Sequence, residues 1–416
     1  MGSRVTLPLQ SSVCRCEERH DAMTDTLYIR DDDSLAQLVQ RLQAASPLAI
    51  DTEFIRERTY YPRLCLVQLA APGLLAVVDP LALDDLQPLW EVLTGGPELV
   101  LHAAGQDLEI IQRLAGRLPA LHFDTQVAAA FLGYGDSIGH SKLVERLVRV
   151  TLKRSEAYTD WARRPLSDDQ VQYALDDVRY LLECAETLRA QLTDRGRGDW
   201  VQEELERMRH GVNPSPDPDE MWRRVSGARS LTGRGLAILC RAAAWREREA
   251  VRRDIPRQRV AADRVLIEIA RRAPKRQAQV EGLRGLHPRE AQRSAATILA
   301  FVHEAVESAP DTWPESRKSR PRSGQQAVEI LASLLDAVVR TRAAELDLAP
   351  RLLAKRADLE QLVRQEIDAD VEQGGIPVLE GWRRQHVGEQ LLALLRGAAR
   401  VSVERTEEGA RLRLES

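Results

Sequence analysis

The chain has 416 residues, 44% of them hydrophobic, with a net charge of −4 and five cysteines. That is material for two or three domains with cores of their own, and too few, too scattered cysteines for a disulfide framework. No stretch approaches the roughly 18 consecutive apolar residues that span a bilayer. The first residues lack the sustained apolar run of a secretory signal, so a cytoplasmic location is the default expectation.

Residues 1–22 read as a disordered N-terminal extension, with Met23 as an alternative start. Cys14 and Cys16 form a C-x-C in that tail, without the second Cys or His pair that a zinc site needs. Cys65, Cys184 and Cys240 sit in apolar contexts and read as small core residues.

From about Thr26 to Leu192 strand and helix signals alternate. PLAIDTEF, LCLVQLA and LLAVVDP are short apolar runs separated by turn or polar residues, and ELVLHAA is a fourth. Helical patterns follow in DLEIIQRLAG, with Gly116 as the stop, and in QVAAAFLG. This order predicts an α/β domain with a mixed sheet. The clearest helix starts at Ser167, which can cap it with Gln170 completing a capping box. Val171, Ala174, Leu175, Val178, Leu181 and Leu182 recur at helical spacing as its buried stripe. Tyr173 and Asp177, four residues apart, share the face beside that stripe.

The helical pattern runs on through Met208 until HGVNPSPDPDEMW breaks it. The expected organisation is an α/β domain over 23–210, a helical domain over 217–305, a linker over 306–324 and a second helical domain over 325–416. Between Asp217 and Ala305 there are 19 Lys/Arg against 11 Asp/Glu, a balance of +8 that leaves −12 for the remainder. An acidic part joined to a basic one fits a metal-binding domain beside a phosphate-binding one. Arg223, Arg224, Arg252, Arg253, Arg271, Arg272, Lys275 and Arg276 are the candidates for a surface that tracks nucleic-acid phosphates, weighed against an ordinary solvated helical face.

Acidic residues in three separated segments carry the chemistry. Asp51 and Glu53 in LAIDTEF lie on one side of a strand, since side chains alternate with period two, while Thr52 points to the other face. Two carboxylates on one face repel unless a cation lies between them. Asp107 follows HAAGQ at the start of a helix, where a carboxylate is also favoured by the helix dipole. Asp177, with Tyr173 one turn earlier, is the third. Singly each has an ordinary explanation. Jointly they suggest two divalent ions held by shared carboxylates for phosphodiester cleavage.

The text IDTEFIRERTYYPRLCLVQLA, LHAAGQDLEII, FDTQVAAAFLG and TDWARRPLSDDQVQYALDDVRYL resembles the tyrosine-containing branch of the DEDD exonucleases, specifically the bacterial ribonuclease D family. The resemblance covers about Thr26 to Leu192. The basic module resembles the HRDC domain that follows in that family, and the last module a more divergent HRDC-like domain. It implies an α/β ribonuclease H-like exonuclease domain with a mixed sheet, followed by two all-α HRDC-like domains.

It further implies that Asp51, Glu53 and Asp177 bind one Mg²⁺ or Mn²⁺, that Asp51 bridges to a second ion supported by Asp107, and that Tyr173 orients the attacking water. The expected activity is 3′→5′ trimming of structured RNA, tRNA precursors in particular, with release of 5′-mononucleotides. Asp124 reads as a helix cap more readily than as a ligand. His102, Tyr60 and Arg164 are candidate substrate contacts, set against a satisfied buried histidine, simple packing, and a role for Trp161, Arg164 and Pro165 in holding the catalytic helix. A 3′→5′ DNA exonuclease and a catalytically silent RNA-binding protein are the competing readings.

Overall fold

The computed structural model of the chain describes residues 24–153, 159–213, 215–313, 324–367, 375–406 and 409–415. The extension expected over 1–22 with Cys14 and Cys16, the alternative start at Met23 and residues 314–323 of the expected linker lie outside the described residues.

Six strands form one sheet: β1 (Asp25–Ile29), β2 (Leu48–Ile55), β3 (Arg63–Ala71), β4 (Leu74–Val78), β5 (Leu99–Leu101) and β6 (Leu121–Asp124). Their order is β1-β4-β3-β2-β5-β6. Strand β3 runs antiparallel to both its neighbours, while the β1–β4, β2–β5 and β5–β6 pairs are parallel. The sheet is therefore mixed. Edge strand β1 escaped the sequence reading because it is short and half-exposed, without a clean alternation. Strand β4 and β3 beyond Arg63 are buried throughout, with the Asp168–Arg179 helix packed over both, so no polar alternation marks them.

Around the sheet lie α1 (Asp32–Gln43), α2 (Gln87–Thr94), α3 (Gly105–Ala115), α4 (Thr125–Ala130), α5 (His140–Leu147), α6 (Asp168–Arg179), α7 (Leu181–Asp194) and α8 (Gly198–His210). Helix α3 ends at Gly116, whose φ of 72° a residue without a Cβ adopts freely. The Ser167–Gln170 capping box opens α6. The single helix expected from Ser167 onward is broken at Tyr180. The break lets α6 pack over β2, β3 and β4 while α7 packs against α4, α5 and β5.

The middle module is helical, with α9 (Gly233–Arg253), α10 (Arg257–Val260), α11 (Asp263–Arg272), α12 (Gln277–Glu281) and α13 (Pro288–Glu307), and has its own core around Leu239, Trp245, Ile269, Ile298 and Phe301. The last module carries α14 (Gln325–Glu345), α15 (Pro350–Leu353), α16 (Arg356–Ile367) and a helical stretch over 381–395. Its residues Leu335, Val339, Leu362, Trp382 and Leu391 belong to the same apolar cluster as the sheet. At the join the Trp200 and Trp382 rings stack 5.2 Å apart, Arg383 pairs with Glu204, and the Arg197 guanidinium donates to Phe131 O and Leu346 O. The module is helix-rich but not all-α: β7 (Arg400–Thr406) and β8 (Gly409–Glu415) close it as an antiparallel hairpin, which the alternation in RVSVERT and GARLRLE explains.

Candidate active site

The site forms where β2 runs past the end of β5. The two strands pair only at Leu48–Leu99 and Ala49–Val100. From Ile50 onward that edge of β2 is left to the loop after β5 and to the first turn of α3. A register shift follows Glu53: Glu53 pairs with Leu66 and Phe54 with Leu64, so β3 carries the extra residue, Cys65, just past the two carboxylates of β2. Helix α6 crosses this part of the sheet and brings Tyr173 and Asp177.

Asp51, Glu53 and Asp177 each offer a carboxylate oxygen within 4.8 Å of the others. Asp107 lies outside that set. It is 6% exposed, and its Oδ1 accepts a 2.5 Å hydrogen bond from the Thr52 hydroxyl. Strand parity separates Thr52 from Asp51 and Glu53, and the chain uses the residue between them to hold the acid from α3.

The electrostatics are those of carboxyl groups crowded together in a partly buried place. Burial, followed by the charges of Asp107, Asp177 and Glu53, pushes the Asp51 carboxyl well above the usual range. Burial and the charges of Asp177 and Asp107 push Glu53 up to about 8. Burial raises Asp107 to about 7 against the opposing Thr52 bond. The Tyr173 hydroxyl is pushed up by burial and then by Asp177, Glu53 and Asp51. Oxygen ligands that resist ionisation when alone suit a hard divalent cation, which stabilises the charged forms.

Asp124, fully buried, caps α4: its carboxylate accepts the N–H groups of Ala103, Ala104, Gln126 and Val127 at 2.8–3.2 Å. It thereby fixes the loop that delivers Asp107. Ala103 in that loop holds a φ of 60°, a conformation costly for a residue with a side chain and sustained here by the bond from its N–H to Asp124.

The three candidate substrate contacts are committed elsewhere. Arg164 is engaged within the protein: its guanidinium forks onto Asp79 through two 2.6 Å bonds and donates to Trp161 O, Arg163 O and Cys65 O. Those bonds tie the segment before α6 to β3 and the end of β4. Tyr60 is half-buried against the middle module: its hydroxyl bonds Glu247 and accepts from Arg257, and Asp254 accepts the Tyr60 and Tyr61 N–H groups. It joins two modules, and stacking on a base would require that join to open. The ring of His102 is tied at both nitrogens, Nδ1 to the Thr125 hydroxyl at 2.9 Å and Nε2 donating to Ile138 O at 3.0 Å. Burial holds the His102 pKa down to about 3.

Two neighbours of the site carried no sequence signal. His140, the first residue of α5, places Nδ1 3.5 Å from Asp177 Oδ1. Gln68, fully buried on β3 directly opposite Asp51, has no hydrogen-bond partner for its amide among the described residues.

Comparison with known proteins extends this picture. Residues 27–193 match a family described as 3′-5′ exonuclease, and residues 236–302 match the HRDC domain. Ribonuclease D of Zymomonas mobilis is 38% identical over 386 residues, which cover 91% of this chain and 96% of that protein. Ribonuclease D of Nitrobacter hamburgensis is 40% identical over 376 residues, 89% of this chain and 95% of its own. The crystal structure of Escherichia coli RNase D, described as an exoribonuclease involved in structured RNA processing, matches with a TM-score of 0.82 at 32% identity, covering 90% of this chain and 99% of that one.

Proposed function

The chain belongs to the ribonuclease D family of 3′-5′ exoribonucleases, and from that premise we propose that it trims the 3′ ends of structured RNAs, tRNA precursors foremost, with two Mg²⁺ or Mn²⁺ ions held by Asp51, Glu53, Asp107 and Asp177. Exonucleases of this family depend on divalent metal. The observation that carries the assignment here is the convergence of Asp51, Glu53 and Asp177 within 4.8 Å. When bound, the ions supply a deprotonated water at neutral pH and offset charge on the departing 3′-oxygen.

The residues divide the remaining work. Asp51, Glu53 and Asp177 would hold one ion, and Asp51 with Asp107, directly or through water, would hold the second. Tyr173 stays protonated, so it orients the attacking water by hydrogen bond and does not serve as its base. The Trp161 ring, 6.0 Å from that of Tyr173, backs the phenol from the segment that Arg164 anchors. Each cycle releases a 5′-mononucleotide. The middle module tracks the body of the RNA through exposed arginine and lysine, reading shape and a free 3′ end more than sequence. On this reading the work is done in the cytoplasm.

The test compares 3′-extended tRNA with single-stranded DNA in Mg²⁺, Mn²⁺ or EDTA. Mononucleotide release from RNA is expected, abolished by Asp51→Asn and by EDTA. Activity surviving either treatment sinks the metal mechanism. Preferential digestion of DNA would favour the DNA exonuclease reading.

A further inference from the structure

His140 lies in none of the segments that suggested the chemistry, yet it is the nearest basic side chain recorded at the carboxylates. Its Nδ1 is 3.5 Å from Asp177 Oδ1, and the side chain is only 12% exposed. Neither ring nitrogen has a hydrogen-bond partner among the described residues. Buried polar atoms without partners are uncommon in native proteins and ask for a reason.

The surrounding structure fixes where this ring stands. Ile138 O accepts from His102 Nε2 and from Gln126 Nε2, both at 3.0 Å, so the chain two residues before His140 is pinned from β5 and α4. Gly139 caps α5 with extended backbone, and its carbonyl takes the N–H groups of Lys142 and Leu143 at 3.1 Å. Leu143 and Val144, fully buried, lock the helix into the core. The His102 and His140 rings meet edge to face at 5.6 Å. His102 thus buttresses His140, and His140 faces Asp177.

We propose that His140 is a positioning residue for the reaction, donating from Nδ1–H to Asp177 and holding that carboxylate in the orientation in which it binds the metal. A gap of 3.5 Å is longer than a hydrogen bond, and contacts of this kind commonly tighten only in the loaded site. A donor on the outer oxygen of a ligating carboxylate fixes the ligand and strengthens metal binding, by about 10- to 100-fold where such partners have been removed. This inference rests on the metal reading of the preceding subsection.

The experiment is calorimetric titration of the full chain with Mn²⁺, for wild type, Asp51→Asn, His140→Ala, His140→Asn and His140→Gln. An Asn amide reaches the place of Nδ1, and a Gln amide the place of Nε2. His140→Ala and His140→Gln are expected to weaken Mn²⁺ binding by about 10- to 100-fold, while His140→Asn stays near wild type. Melting curves in EDTA check that the variants fold, and the Asn–Gln contrast separates a donor at one atom from packing. Wild-type affinity in the Ala and Gln variants, or equal weakening by Asn and Gln, overturns the inference alone. A wild-type chain that binds no Mn²⁺ overturns the metal reading and this inference with it.

Discussion

The Thr52 hydroxyl and the Asp107 carboxylate, 55 residues apart in the chain, meet at 2.5 Å in the interior. Thr52 is the residue between the two acids of β2, so one tripeptide both presents Asp51 and Glu53 and tethers the acid from α3. Replacing it with valine preserves shape and β propensity but removes the one side-chain donor to Asp107 recorded among the described residues. A buried acceptor left without its donor costs about 1–3 kcal/mol. Thr52→Val is therefore expected to destabilise the metal-free protein by that amount in urea unfolding, with Thr52→Ser restoring most of it. An unchanged midpoint would mean that Asp107 is satisfied without the hydroxyl.

The raised carboxyls also make stability depend on pH. In the unfolded chain these acids titrate near about 4, whereas in the folded protein Asp107 sits at about 7 and Glu53 at about 8. The native state favours their protonated forms. Stability from this source is thus fully present below the unfolded values and lost as pH rises through 7 and then 8. In EDTA the unfolding temperature should fall from about pH 5 to about pH 8 and level off above that. Saturating Mn²⁺ should remove most of that slope, and Glu53→Gln should flatten it without metal. A melting temperature in EDTA that is level or rises over this range would contradict the burial of the cluster.

How much of this was legible depended on range. Strand parity placed Asp51 and Glu53 on one face, and helix spacing placed Tyr173 and Asp177 on another, because both are local periodicities of the backbone. The Ser167 cap and the Gly116 stop are local too. The partner of Asp107, the fork of Arg164 on Asp79 and the approach of His140 to Asp177 depend on sheet order and on where β5 ends. Those are set by long-range pairing that no window of sequence contains. His102, Tyr60 and Arg164 looked available because their sequence neighbourhoods border the site. Their donors and rings were already claimed by segments 85 to 197 residues away for Arg164 and Tyr60, and 23 to 36 residues away for His102.

Arg164 gives a contrast between holding a helix and holding a substrate. Asp79 is 2% exposed in its side chain and accepts both arms of the fork, so removing the arginine strands a buried charge. That loss is worth about 3 kcal/mol or more, reduced by the partial exposure of the arginine. Arg164→Ala should lower thermal stability and kcat together, because the chain entering α6 positions Tyr173 and Asp177. RNA affinity should hold. A variant that binds RNA less tightly yet melts normally would restore the phosphate contact that the geometry opposes.

The basic module divides its arginines into two groups. Arg252 and Arg253 pair with Glu249, Arg253 also with Glu290, Arg272 with Glu268 and Arg223 with Glu220. Their charge is partly spent at home. Arg271, Lys275 and Arg276, near the end of α11 and the start of α12, are exposed and have no carboxylate partner recorded among the described residues. Each phosphate neutralised releases counterions, contributing about 0.7 to the salt slope for single strands and about 0.9 for duplex. Reversing Arg271, Lys275 and Arg276 to Glu should weaken RNA binding and flatten its salt dependence by about 2 to 3 in slope, with kcat at saturating RNA unchanged. Reversing Arg252 should do less, since it leaves Glu249 unpaired without removing a free cation. If the triple variant binds RNA with the wild-type slope, the RNA does not pass over this end of the module.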